Sequence, residues 1–133
     1  MYRIDKTNYG FKLIFGDFMK AAEMEQWVKD SEKQLKTQTA KFGVFVDMRT
    51  LKPLPQDAQA LMEKGQKLYK GKGMERSVVI LDSPVVTMQF KRLAQQTGIY
   101  QWERYIDASK IKDWEKVGEA WLKNADDPDK GDK

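Results

Sequence analysis

The sequence predicts an α/β fold, with a mixed, mostly parallel sheet of four to five strands wound with about four helices. Residues 41–49 and 76–82 are each a short apolar run that closes on an aspartate, and each leads into a proline-marked helix start. Buried parallel strands that feed crossover helices have this form. A pair of short runs at the amino terminus, separated by turn residues, adds two antiparallel strands.

The first two strands are predicted at residues 2–5 and 10–15, because the turn-forming residues Asn8 and Gly10 separate them. Apolar residues alternate in the second strand, as expected for one buried face. A first helix follows and continues to about Lys36. Its buried stripe has helical spacing and consists of Met24, Trp27, Val28 and Leu35.

Residues 42–48 are the candidate for the central strand, because consecutive apolar residues suit burial on both faces. Pro53 and Pro55 then precede a second helix that ends near Gly71 and Gly73. The next strand is predicted at residues 76–81. The helix after it begins at Pro84, is capped by Asp82 or Ser83, and ends before Gly98.

Residues 100–106 are predicted as a last strand at a partly exposed sheet edge. A final helix is predicted from the stripe that begins at Ile111 and ends at Leu122. The residues beyond it are polar and too poor in apolar groups to offset their ordering entropy. We therefore expect one domain over residues 1–124 and a disordered polar tail over residues 125–133.

The composition favours a binding protein over an enzyme. The 133 residues contain no His and no Cys, which removes the usual nucleophile, general base and transition-metal ligands. We therefore expect no catalytic residue, no metal and no cofactor. The chain shows no signal peptide and no apolar run near the roughly 20 residues needed to span a bilayer, so a cytoplasmic location is predicted. The formal net charge of +4 is compatible with phosphate-bearing partners or an anionic membrane surface, but a mildly basic surface without a partner is the commoner situation, because Glu and Asp are interspersed along the chain.

Parallel strands bring the loops after residues 42–48 and 76–81 to one edge of the sheet, where ligands usually bind. In this interpretation Arg49 holds an anionic head group, N–H groups near Ser83 bind an anion, and Val85 and Met88 are surplus apolar residues for an acyl-like group. The alternative is structural, with Arg49 paired to an aspartate, Ser83 acting only as a helix cap and the apolar residues packed in the core. The predicted ligand-binding residues are Asp47, Arg49, Leu51, Leu54, Asp82, Ser83, Val85 and Met88.

Three other binding motifs carry less weight. Asp47 and Asp82 lack the further carboxylates that a magnesium site needs, apart from Asp57. The glycines around Lys72 lack the strand and helix context of a P-loop and fit a helix end. Nucleic acid is not an expected partner, because Tyr69 is the one aromatic platform for bases beside the basic helix face formed by Lys64, Lys67, Lys70 and Lys72.

The order of parts over residues 42–98 resembles the SpoIIAA-like family of bacterial STAS-type domains, the family of anti-sigma factor antagonists. The resemblance rests on the strand that ends at Asp47-Met48-Arg49, the helix start at residues 55–58, the strand 76–81 and the segment 83–94, and it extends to Trp121-Leu122. It implies a sheet wound with helices, a cytoplasmic location and a binding or regulatory role without a reaction. Members of this family are similar to lipid-binding domains of the CRAL-TRIO type.

One departure from the family is visible. Residues 53–57 occupy the position of the stretch that carries a phosphorylatable Ser in true antagonists, and they contain no hydroxyl group. The leading hypothesis is therefore a non-enzymatic module that binds an amphipathic or lipid-like anionic ligand, or a membrane surface, at the strand ends. The alternative is a protein-interaction domain of the antagonist type without the phosphorylatable Ser. A homodimer is compatible with the exposed edge strand and the surplus apolar residues.

Overall fold

The computed structural model describes residues 1–130 and confirms the α/β fold, with a five-stranded, mostly parallel sheet and four helices. A 3₁₀ turn at Tyr100–Trp102 precedes the last strand. In chain order the elements are β1 (Tyr2–Lys6), β2 (Gly10–Asp17), α1 (Ala21–Leu35), β3 (Phe42–Leu51), α2 (Gln56–Gly71), β4 (Met74–Leu81), α3 (Pro84–Thr97), β5 (Glu103–Asp107) and α4 (Trp114–Asn124).

The strands lie in the sheet in the order of the chain, from β1 to β5. β1 and β2 are antiparallel, and every later pairing is parallel. In the central pair Val46 lies opposite Val79, and Asp47 lies opposite Ile80. The carboxyl ends of β2 to β5 therefore lie at one edge of the sheet, here called the carboxyl edge, and the loops after β3 and β4 converge there as the sequence predicts.

Helices cover both faces of the sheet. One face packs against α1, α2 and α3 in the larger core cluster, to which Val44, Val46 and Met48 of β3 contribute. The other face packs against α4 in a smaller cluster that contains Phe45 and Ile80. Because both faces of β3 are covered, its apolar residues run consecutively instead of alternating with polar ones.

The contact between α1 and α2 depends on one glycine. The indole of Trp27 stacks on the Tyr69 ring with 5.8 Å between centroids, and Ser31 hydrogen-bonds the Tyr69 hydroxyl at 2.8 Å. A Cβ atom on Gly65 would lie 2.1 Å from Cζ3 of Trp27. Glycine at this position therefore lets the indole lie directly on the surface of α2.

The last strand is shorter than predicted. Gly98 adopts a left-handed conformation with φ 85°, and the chain continues to turn, so that Trp102 N–H donates to the Ile99 carbonyl. The prediction of a strand at residues 100–102 is therefore wrong, because the chain forms a 3₁₀ turn there and Ile99 packs in the core. β3 continues to Leu51, beyond the predicted end, and β4 begins earlier, at Met74.

The final helix begins three residues later than the predicted stripe, at Trp114, because Ile111 lies in a turn closed by its N–H and the Asp107 carbonyl. The predicted tail is described as far as Lys130, and the rest of it lies outside the described residues. In the described part, Asp127 accepts hydrogen bonds from Arg104 Nε at 2.8 Å and Nη2 at 3.0 Å.

Candidate functional site

Asp47 and Arg49 lie together at the carboxyl edge, on the face that α4 covers. Arg49 donates from Nε to Oδ1 and from Nη2 to Oδ2 of Asp47, both at 3.0 Å. Its guanidinium carbon lies 4.2 Å from the centroid of the Trp114 ring. The hydrogen bonds to Asp47 raise the pKa of Arg49. The guanidinium is thus held by a carboxylate and an indole, which is the arrangement in the structural alternative.

Leu51 and Leu54 lie at the same edge but point into the core. Each is 3% exposed, and both belong to the larger core cluster. The Leu54 N–H donates to Oε1 of Gln89 at 2.9 Å, and the Leu54 carbonyl accepts from the side-chain amide of Gln59 at 2.9 Å. These contacts fix the β3–α2 loop against α3, and they leave the two leucine side chains without an open surface for a ligand.

Asp82, Ser83 and Met88 line an open groove of about 550 Å³. It lies at the carboxyl ends of the adjacent parallel strands β4 and β5. One wall comes from the end of β4 and the first turns of α3, and the other comes from β5 and the turn that follows it. We call it the β5 groove, and it is lined by Leu81, Asp82, Ser83, Pro84, Thr87, Met88, Lys91, Tyr105, Ile106, Asp107, Ser109 and Lys110.

The amino end of α3 offers few free donors to the groove. Ser83 Oγ accepts the Val86 N–H at 3.3 Å, and the Ser83 carbonyl accepts the Thr87 N–H at 3.0 Å. Pro84 at the first position of the helix has no N–H. Ser83 is thus a helix cap in this structure, and most of the predicted N–H donors already have acceptors.

Two lysines supply positive charge to the groove. Neither Lys91 nor Lys110 lies within 4.0 Å of a carboxylate oxygen of residues 1–130. The Lys91 ammonium lies 5.3 Å from the centroid of the Tyr105 ring. Asp107 accepts a hydrogen bond from the Ser109 N–H at 2.9 Å, and its hydrogen bonds to Ser109 lower its pKa. The groove therefore presents two ammonium groups and two carboxylates, Asp82 and Asp107, and Asp107 already has hydrogen-bond donors.

Exposed apolar side chains lie in and beside the groove. Met88 is 72% exposed and lines the groove, whereas Val85 is 55% exposed and does not. Phe18, which follows β2 at the same carboxyl edge, two strands away from β4, is 68% exposed. The exposed Met88, in a groove with cationic groups, suits an amphipathic partner.

A buried carboxyl group lies next to the groove. Glu103 is 5% exposed, and it accepts hydrogen bonds from Ser77 Oγ at 2.6 Å and from the Tyr105 hydroxyl at 2.7 Å. Burial raises the pKa of Glu103 to about 7. Glu103 also lines a small interior cavity of about 40 Å³. The Tyr105 ring forms part of the groove wall, and its hydroxyl binds this interior carboxyl.

Sequence reasoning missed the second wall of the groove. Tyr105, Ser109 and Lys110 of this wall are absent from the predicted site, as is Lys91 of α3, because the prediction used only the loops after β3 and β4. Residues 107–110 stand at the end of β5 in the same way. A strand-end aspartate followed by small and basic residues could have predicted this wall of the groove. No sequence pattern predicted the exposure of Phe18, because an isolated aromatic residue is equally typical of a buried core position.

Within residues 1–130, no group of three or more acidic side chains is close enough together to hold a metal ion. No helix in this part of the chain combines the length and the apolar character that crossing a bilayer requires. Comparisons with protein-family models and with curated protein sequences find no match to this chain.

Proposed function

We propose that this protein is a non-enzymatic binding module whose β5 groove accepts an amphipathic, anionic small molecule. The observation that carries the proposal is the groove itself, an open volume of about 550 Å³ at the carboxyl ends of two adjacent parallel strands. Ligand sites in open α/β sheets occur at such strand ends, and they typically measure about 300–1,000 Å³.

The chemistry of the walls supports the class of ligand. Lys91 and Lys110 are cationic and are not within salt-bridge distance of a carboxylate in the described chain, so an anionic head group would gain charge-assisted hydrogen bonds from them. Met88 offers an exposed, flexible apolar side chain for the rest of the ligand. In this proposal the two lysines take the role that the sequence assigned to Arg49.

The polar groups of the groove favour binding over catalysis. Ser83 Oγ accepts a hydrogen bond as a helix cap, and no basic side chain of the described residues is hydrogen-bonded to it as an activating partner. The pKa of Asp107 is lowered, which makes this carboxylate a poor proton acceptor near neutral pH. These features support a module without a reaction.

The proposal includes the SpoIIAA-like resemblance, a cytoplasmic location and the expectation of no nucleic-acid partner.

The second candidate function, a protein-interaction domain, is favoured by one observation: Phe18 and Val85 are exposed at the carboxyl edge but lie outside the β5 groove. A small ligand in the groove would leave them uncovered. The surface of a protein or of a membrane would cover them.

Calorimetric titration with decane-1-sulfonate tests the proposed function, since this probe joins an alkyl chain to a permanently charged head group. We expect saturable binding of one molecule, and a loss of at least about tenfold in affinity when Lys91→Glu and Lys110→Glu are combined. Lys64→Glu is a control for charge reversal outside the groove, because Lys64 is exposed on α2 and does not line the groove.

Absence of saturable binding, or an equal loss in the Lys64→Glu protein, would contradict the proposal. The second candidate has a separate readout. A stoichiometric protein partner that is captured by the wild-type chain and lost with Phe18→Asp, while the lysine variants still capture it, would favour the protein-interaction domain.

A further inference from the structure

Tyr105 connects the β5 groove to the buried Glu103. Its ring lines the groove beneath the Lys91 ammonium, and its hydroxyl donates to Glu103 Oε1 at 2.7 Å. A second surface groove of about 320 Å³ lies beside the first and shares Lys91 and Tyr105 with it, and Glu103 contributes to its lining. One tyrosine and one lysine thus lie between a surface binding site and an interior acid.

We propose that ligand binding in the β5 groove is coupled to protonation of Glu103, so that an anionic ligand binds more tightly when this carboxyl is neutral. The inference rests on the proposed function of the groove and assigns a regulator to it. Protons would act through the Glu103–Tyr105 hydrogen bond and through the position of the Lys91 ammonium.

The surroundings of Glu103 contain little that could neutralise an ionised carboxylate. Ser77 of β4 and Tyr105 of β5 donate neutral hydrogen bonds. Gln66 and Tyr69 of α2, which line the interior cavity with it, are uncharged polar groups. The remaining titratable or charged groups lie in the second surface groove: Lys91 of α3, Tyr100 of the 3₁₀ turn, Arg104 of β5 and Asp129 after α4.

Lys91 is the cation best placed to respond. The Arg104 guanidinium donates two hydrogen bonds to Asp127, and its central carbon lies 4.4 Å from the Trp121 ring centroid. Lys91 has no carboxylate partner within salt-bridge distance in the described chain, and it lines both grooves. Ionised Glu103 would attract Lys91 away from a ligand head group and would repel that head group directly. Both effects weaken anion binding.

The pH range of the effect follows from the chain. Burial raises the pKa of Glu103 to about 7, so its protonation changes near neutral pH. The chain has no His and no Cys, the side chains that ordinarily titrate in this range. A change in affinity between pH 6 and 8 therefore points to Glu103.

The test is the dissociation constant of decane-1-sulfonate from pH 5.5 to 8.5 at constant ionic strength, because the charge of this probe does not change over that range. For a carboxylate and a ligand anion about 10 Å apart, at an effective dielectric constant of about 40, binding should weaken about fourfold at the higher pH. In Glu103→Gln the constant should stay at its low-pH value, since the amide keeps the shape of the acid and cannot ionise.

Two further readouts separate coupling from a merely structural role of Glu103. The ¹³C carboxyl signal of Glu103 should titrate at higher pH in the saturated complex than in the free protein. Tyr105→Phe keeps the ring in the groove wall but removes a hydrogen bond that lowers the pKa of Glu103, so the midpoint of the affinity change should move to higher pH. This variant also serves if Glu103→Gln fails to fold.

The outcomes distinguish this inference from the proposed function. Saturable binding with an affinity that does not change with pH, or with the same pH dependence in wild type and Glu103→Gln, would overturn the coupling and leave the binding site intact. Absence of binding at every pH would overturn both.

Discussion

Replacement of Glu103 by Gln should remove a specific pH dependence of the folding stability. Glu103 has its pKa raised from 4.5 to about 7 by burial, so the folded protein binds this proton more tightly than the unfolded chain does. The stabilisation is fully present below pH 4.5, and it is lost as the pH rises through 7. The predicted pH window thus runs from about 4.5 to about 7.

The magnitude follows from the shift. Each unit of difference in pKa corresponds to about 1.4 kcal/mol, so the rise of the Glu103 pKa from 4.5 to about 7 implies a loss of about 3 kcal/mol between pH 4.5 and pH 8.5. This is a large share of the 5–15 kcal/mol that typically separates the folded and unfolded states. Glu103→Gln should not show this loss, because the amide stays neutral.

Urea unfolding followed by tryptophan fluorescence, at several pH values from 4.5 to 8.5, measures the effect. The difference in unfolding free energy between the two proteins isolates Glu103, because the other titrating groups are common to both. As the pH rises from 4.5 to 8.5, the unfolding free energy of the variant should increase by about 3 kcal/mol relative to that of the wild type. A difference that stays constant over this range, or that changes in the opposite direction, would refute the account of a buried neutral carboxyl.

Two other substitutions test packing and the segment after α4. Gly65→Ala should lower the unfolding free energy by about 2 kcal/mol, because its methyl group would overlap a buried indole. Gly71→Ala, where an added Cβ has no atom within 4 Å, should change the unfolding free energy by about 0.5 kcal/mol or less in either direction. Equal urea midpoints for the two variants would contradict the Gly65–Trp27 contact. Asp127→Ala should cost about 1 kcal/mol at neutral pH because it removes the carboxylate bound to Arg104, whereas Asp126→Ala should be neutral. The hydrogen bonds lower the pKa of Asp127, so the difference in unfolding free energy between these two variants should shrink as the pH falls below 4. If the segment after α4 made no ordered contacts, the two variants would be equally stable at every pH.

The fold could be predicted from the sequence because its signals are local and agree with one another. Consecutive apolar residues at 44–46 indicate a strand covered on both faces, and Ser83, Pro84 and Gly98 mark both ends of α3. The 3₁₀ turn was missed because its cause is tertiary. The aromatic and β-branched residues near Tyr100 have strand propensity, but the core position of Ile99 determines how the chain runs there.

The candidate site was only partly predictable, for a related reason. Convergence of strand ends at one edge follows from parallel topology, so Asp82, Ser83 and Met88 were found. Which side chains turn inward at that edge depends on a register shift between β2 and β3 near their ends and on contacts with α3. Leu54 lies in the core and Arg49 is held by Asp47, which is the structural alternative that the sequence left open beside the ligand-binding one.

The most direct test of the proposed site is a map of amide chemical-shift changes in the ¹⁵N-labelled protein on titration with decane-1-sulfonate. The account predicts that the largest changes fall on two segments, residues 82–91 and residues 105–110, which form the opposite walls of the β5 groove. Changes centred on Arg49 and Trp114, or spread over the lysines of α2, would contradict it.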